Sequence, residues 1–209
     1  MGEETRDDAA ARAVRDAADQ DALARLRAGD GSAVAVLYDH HGAAALALAT
    51  RILRSRDEAE DVVHDAFVAV VERAHQYQPE RGSVAGWLVT TVRNLALDRV
   101  RRRARREGIT RDELRHEPRV EPEDPEERLA SEGEGAVVRR ALLALPPAQR
   151  ATLELAFYEG LTYPEIAARD GVPLGTVKSR AARALWTLRA ALGVDEAALR
   201  RQTAPSSDP

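Results

Sequence analysis

One stretch, "LTYPEIAARDGVPLGTVKSRAARAL" at residues 161–185, narrows the fold more than any other. It reads as two short helices with a hard break between them. Thr162 and Glu165 form a T-x-x-E capping box, in which each side chain satisfies a backbone N–H left free by the first helical turn. Pro164 falls in that turn, where a missing N–H costs little. Ile166 and Ala167 face inward. Gly171 supplies the positive φ that a tight inter-helix turn needs, and Pro173 resets the chain. Stepping 100° per residue from Val177 puts Ala181, Ala184, Leu188 and Leu192 on one face, with Leu185 at its edge. Gly175, Lys178, Ser179, Ala182 and Arg183 fall on the other. Small residues at Ala167 and Gly171 suit a close crossing of the two helices. This is the pattern of a helix-turn-helix, whose second helix lies in a DNA major groove with its N-terminal half near the bases. An αα-hairpin with a solvated basic face fits the same spacing.

Charge is the apparent objection to a DNA binder, because the 209-residue chain carries a net −4. The charge is unevenly placed. Residues 21–106 are net +3 and residues 136–192 net +4, while 107–135 are net −7. Residues 1–20 are net −3 and 193–209 net −1. Two mildly basic modules therefore flank an acidic connector, which has three prolines and little apolar periodicity and reads as a flexible linker. The acidic residues 1–20 read as a disordered N-terminus and 193–209 as a frayed C-terminal tail. Ala, Leu and Arg dominate, which favours helices. The absence of cysteine removes disulfides, thiol catalysis and Cys-ligated zinc. No apolar run approaches the ~18 residues of a membrane span, and "MGEETRDDAA" has no signal-peptide character. The expectation is a cytoplasmic protein without direct membrane insertion.

The first module offers four helical segments. "DALARLRAGD" is short and ends at Gly29, and "SAVAVLYDHHGAAALALATRIL" is long and apolar. Ser55 and Glu58 repeat the capping-box pattern before "DEAEDVVHDAFVAVVERAH". Ser83 is placed to cap "VAGWLVTTVRNLALDRVRRRARR". In the third segment Val63, Ala66, Phe67, Val70 and Val71 form an apolar stripe, with Glu58, Asp61, Asp65 and Glu72 opposite. Asp61 and Asp65 stand four apart with no cation between them, which disfavours an isolated helix slightly. That face is either solvated or a docking surface for a basic partner. The fourth segment ends in "RVRRRARR", six arginines within residues 99–106. Arginines suit a helix C-terminus, but six exceed what capping requires, and a phosphate-contacting track is the stronger reading.

"AEDVVHDAFVAVVERA", "GSVAGWLVTTVRNLALDRVRRR" and "LTYPEIAARDGVPLGTVKSRAARAL", in that order, resemble the extracytoplasmic-function (group 4, sigma-70 family) sigma factors of bacterial RNA polymerase. The resemblance covers residues 21–106 and 136–192. It implies an all-α chain of two small helical domains, a σ2-like bundle and a σ4-like helix-turn-helix domain, joined by the flexible acidic linker. It implies that helix 57–74 docks on the β′ coiled coil of core polymerase through Glu58, Asp61 and Asp65, with the β flap as a further polymerase contact. It places the −10 promoter element against the loop "QYQPERGS" and the following helix. The residues concerned are Tyr77, Gln78, Ser83, Trp87, Arg93, Asn94, Arg99, Arg101 and Arg102. It places the −35 element against Thr176, Lys178, Ser179, Ala182 and Arg183, where Ala182 offers only a methyl and relatives often have a larger side chain. Base capture by a pocket, at a few kcal/mol of unstacking per base, replaces much of the aromatic set of primary sigma factors, since this stretch offers only Tyr77 and Trp87. The resemblance further implies control by an anti-sigma factor and no small-molecule substrate.

Two other classes compete. His40 and His41 beside Asp39, or His64 beside Asp61 and Asp65, raise a metal site, but no H-E-x-x-H or similar spacing appears. Neither catalytic residue, metal nor cofactor is expected. A conventional helix-turn-helix regulator, binding duplex operator DNA alone, explains 161–192 but leaves "RVRRRARR", the acidic helix and the connector without a role.

Overall fold

A computed structural model describes residues 4–108 and 134–192, which belong to two compact units, one up to Gly133 and one from Glu134. All regular structure among the described residues is helical. In the first unit α1 spans Glu4–Arg27, α2 Val34–Leu53, α3 Arg56–Glu72 and α4 Val84–Glu107. Helices α2, α3 and α4 pack against one another, and α1 lies mainly against α2. Leu23, Leu37, Leu53, Val62, Val70 and Val92 form the most deeply buried part of this core. Burying each such side chain is worth about 1.5–3 kcal/mol.

The helix starts follow the side chains that the sequence offers. Ser55 accepts from the Glu58 N–H and Ser83 from the Gly86 N–H. Such a cap contributes about 1 kcal/mol. α4 stops where Gly108 turns left-handed, φ 64°, and returns its N–H to the Ala104 carbonyl.

The N-terminus corrects the sequence-based expectation. Residues 1–20 are expected to be disordered, yet α1 begins at Glu4. The segment is rich in alanine, the strongest helix former. Its later turns bury Asp19, Ala22, Leu23 and Leu26, an i, i+3, i+4, i+7 stripe. Net charge suggested disorder, but the apolar stripe and the partners of Asp19 decide the outcome. The acidic connector falls mostly at 109–133, outside the described residues, as does the tail 193–209. The edges assigned to the connector are helical: α4 runs through Glu107, and the next helix starts at Glu134.

The second unit contains α5 (Glu134–Leu143), α6 (Pro147–Tyr158), α7 (Tyr163–Asp170) and α8 (Leu174–Ala191). Leu155, Leu161, Ile166, Ala167 and Val177 form its core, with Ala156, Tyr163 and Val172 packed alongside. The Glu165 carboxylate accepts from both the backbone N–H and the hydroxyl of Thr162, each at 2.8 Å, closing the predicted capping box. Gly171 has φ 64° and gives its N–H to the Ala167 carbonyl. A Cβ placed on Gly171 meets nothing within 4 Å. Its role is therefore the left-handed turn; the expected close crossing at this residue is absent.

Candidate nucleic-acid interface

In the second unit, α8 turns its two faces as the helical wheel predicts. Val177, Ala181 and Ala184 are fully buried, while Lys178, Ser179, Ala182 and Arg183 are exposed and Thr176 is half-buried. The Ser179 hydroxyl donates to the Thr176 carbonyl at 2.9 Å, leaving its oxygen lone pairs available as acceptors. Arg180 is drawn back toward Asp170 on α7, at 3.7 Å, and so braces the turn between the helices. Leu174 and Gly175 are exposed at the helix start, so nothing bulky and charged stands between the first turn and an approaching groove. The helix thus presents two cations, a hydroxyl and a methyl along one edge.

In the first unit the residues expected at the −10 element do not share one surface. Tyr77 is buried, 7% exposed, with its ring against Trp87 at 5.6 Å between centroids. Its hydroxyl donates to the Gly82 carbonyl at 2.9 Å. Loss of water around the phenol, followed by the charge of Asp16, pushes its pKa above the ordinary value. Tyr77 therefore shapes the 77–83 loop from within, and its ring is not offered to a base. Ser83 spends its hydroxyl oxygen on capping α4. Gln78 and Asn94 are exposed, and Trp87 and Arg93 are half-buried. Burial, and then the charge of Arg101, lower the pKa of the Arg93 guanidinium. A cleft of about 230 Å³ opens between α1 and the loop, lined by Asp16, Gln20, Tyr77, Pro79, Gly82, Ser83 and Val84.

The arginine run of α4 divides by face, since six arginines spread over the eight positions 99–106 cannot all point one way on a helix. Arg99 reaches Asp61 on α3 at 2.8 Å, and Arg103 stands 3.7 Å from Glu58. Arg102 pairs with Asp98 one turn back at 2.7 Å. Arg105 and Arg106 donate to the carbonyls of Arg101 and Arg102, so part of the run does cap the helix end. The sequence placed Arg99 with DNA and Asp61 with a protein partner; the structure joins them. Asp61, Asp65 and His64 are exposed along α3, and Glu58 is half-buried.

The Sigma-70 region 2 family matches residues 37–106 and the Sigma-70 region 4 family residues 136–188. The ECF RNA polymerase sigma factor RpoE of Cereibacter sphaeroides is 36% identical over 160 residues, which cover 77% of this chain and 86% of that protein. The ECF RNA polymerase sigma factor SigK of Mycobacterium tuberculosis is 37% identical over 179 residues, covering 84% and 95%. The chain belongs to the ECF sigma factors. Among solved structures it is similar to Rhodobacter sphaeroides SigE in complex with the anti-sigma ChrR, at 31% identity, 82% and 96% coverage and a TM-score of 0.43.

In this sigma factor two structurally important residues escaped the sequence reading. Arg27, at the end of α1, donates to the carbonyls of Ala74 and Tyr77 and lies 5.9 Å from the Tyr77 ring centroid, tying α1 to the loop. Asp19 meets His40 and His41, in place of the Asp39 that neighbours them in the sequence. Long-range partners of this kind leave no periodic signal. Among the described residues no helix is long and apolar enough to cross a membrane.

Proposed function

We propose that this sigma factor docks on core RNA polymerase through the α3 face carrying Glu58, Asp61 and Asp65, and on the β flap through its second unit. It reads the −35 element with Thr176, Lys178, Ser179, Ala182 and Arg183. It engages the −10 element with Gln78, Trp87, Asn94, Arg93, Arg101 and Arg102, the 77–83 loop forming the edge of the base-capturing surface. The observation that carries the reading is the split of α8: Val177, Ala181 and Ala184 are fully buried, while the exposed side gathers Lys178, Ser179 and Arg183. An exposed helix edge with two cations and a hydroxyl matches what phosphates and major-groove base edges accept. Family resemblance adds an anti-sigma factor that withholds the protein from core enzyme. The same reading puts the protein in the cytoplasm, where core polymerase works.

No step in this mechanism needs bond chemistry in the sigma factor. Contacts to the two promoter elements place the polymerase, and unstacked bases held by the first unit keep the duplex open. Run-off transcription on a promoter library tests the reading. Core enzyme plus this protein should start transcripts that core enzyme alone does not, and the protein alone should give no tight operator complex in a gel shift. Tight, sequence-specific duplex binding without core, together with no new transcripts, favours the conventional helix-turn-helix regulator instead.

A further inference from the structure

The Asp19, His40 and His41 cluster lies outside the residues assigned above to promoter and polymerase. Asp19 lies on α1 and is fully buried, yet it is a carboxylate. One of its oxygens stands 2.7 Å from His40 Nδ1 and the other 2.7 Å from His41 Nε2. The two histidines are consecutive on α2, so their side chains leave the helix about 100° apart. They nevertheless bring one ring nitrogen each back to the same carboxylate, with the rings at 89° to one another. The imidazoles are only partly covered, His40 at 29% and His41 at 12% side-chain exposure, so solvent has a path to the cluster.

The two ring nitrogens satisfy the hydrogen bonding of this carboxylate, and a carboxylate removed from water is costly without a compensating cation. We infer that Asp19, His40 and His41 form a divalent-cation site of the zinc class that fastens α1 to α2. The three candidate ligand atoms already lie within 4.8 Å of one another. Bonds of about 2.0–2.2 Å to nitrogen and oxygen would set neighbouring donors roughly 3.3 Å apart, which rotation of the two rings can reach. Two imidazoles and one carboxylate are the three-ligand set that zinc takes with water in its fourth position. Imidazole favours Zn²⁺, Co²⁺ or Ni²⁺ over Mg²⁺ or Ca²⁺. On binding, each imidazole carries its N–H on the other ring nitrogen, so no net proton needs to leave. An occupied site would steady α1, whose Arg27 holds the Ala74 and Tyr77 carbonyls at the proposed −10 loop.

Full-length protein stripped with chelator and titrated with Co²⁺ tests the site. One equivalent should bind with the visible absorption of a tetrahedral nitrogen–oxygen site, be displaced by Zn²⁺, and raise the melting temperature. Asp19→Asn and His40→Gln should each weaken binding by about 100-fold or more, while His64→Gln leaves it unchanged. If Asp19→Asn fails to fold, His40→Gln, whose ring is the more exposed, decides the matter. Absence of Co²⁺ and Zn²⁺ binding in the wild type overturns the site. So does binding that survives His40→Gln, which would assign the metal to other histidines. Stability that ignores zinc but rises as pH falls through the histidine range also overturns it, since the cluster would then be a proton bridge.

Discussion

At the scale of the residue, two charged side chains carry most of the proposed specificity. Arg183 is exposed on the edge of α8 proposed to face the groove. A guanidinium can pair bidentately with guanine, which discriminates by about 1–3 kcal/mol, whereas a phosphate contact is blind to sequence. Arg183→Ala should therefore weaken a subset of promoters in a randomised −35 library by about tenfold or more. A uniform loss, with the salt dependence reduced by about one unit, would assign Arg183 to phosphate. Asp61 is the second. Its pair with Arg99 spans α3 and α4, with Asp61 65% and Arg99 34% exposed, and such surface pairs contribute roughly 0.2–1 kcal/mol. That is too little to hold Asp61 away from a basic partner. Asp61→Arg should abolish co-purification with core polymerase, because it reverses charge at the proposed contact. Asp61→Ala with an intact fold separates loss of the partner contact from repulsion of Arg99. Unchanged association in both variants removes α3 from the polymerase interface.

At the scale of the element, the break between α7 and α8 is the feature that the sequence foretold best. The capping box at Thr162 and Glu165, the left-handed Gly171 and the buried Val177–Ala181–Ala184 stripe all stand where spacing placed them. Each is a local property, set by residues within about one turn of one another. The mechanism at Gly171 differs from the expectation, however, and the difference can be measured. With open space around its Cβ position, Gly171→Ala should cost only the left-handed backbone strain, about 1–2 kcal/mol, read as a lower urea midpoint with an unchanged slope. Gly171→Asn should recover much of it, because asparagine tolerates that conformation. A larger loss in both variants would mean that the helices do crowd this residue. Helix α1 shows the opposite kind of legibility. Its stripe of Asp19, Ala22, Leu23 and Leu26 includes a carboxylate, which an amphipathic pattern search discards. Only His40 and His41, some twenty residues on, make that position an interior one. Two residues that family position nominates for the −10 element have other engagements: Tyr77 is buried against the core and Ser83 caps α4, the latter a local role that the sequence does show.

At the scale of the whole molecule, the net charge of −4 conceals basic modules of +3 and +4 and a connector of −7. Charge of this kind acts over about a Debye length, roughly 10 Å at 0.1 M salt, and we expect the tethered acidic chain to compete with phosphate for the same arginines and lysine. The free protein should accordingly bind random duplex DNA poorly, reserving its basic faces for a promoter presented with core enzyme. Replacing the eleven acidic residues of 107–135 by glutamine or asparagine takes the chain from −4 to +7 without touching α1–α4 or α6–α8 beyond the terminal Glu107. Non-specific duplex binding of the free protein should then tighten by about tenfold or more at 50 mM salt. The gain should fade by 200 mM, because counterion release makes such binding steeply salt-dependent. Fluorescence anisotropy with a random duplex measures it, with transcription from a cognate promoter followed in parallel. A gain that persists at high salt would point to new specific contacts, and no gain at low salt would mean that the connector does not screen the modules. In either case the sign of the net charge would cease to explain how an acidic chain works on DNA.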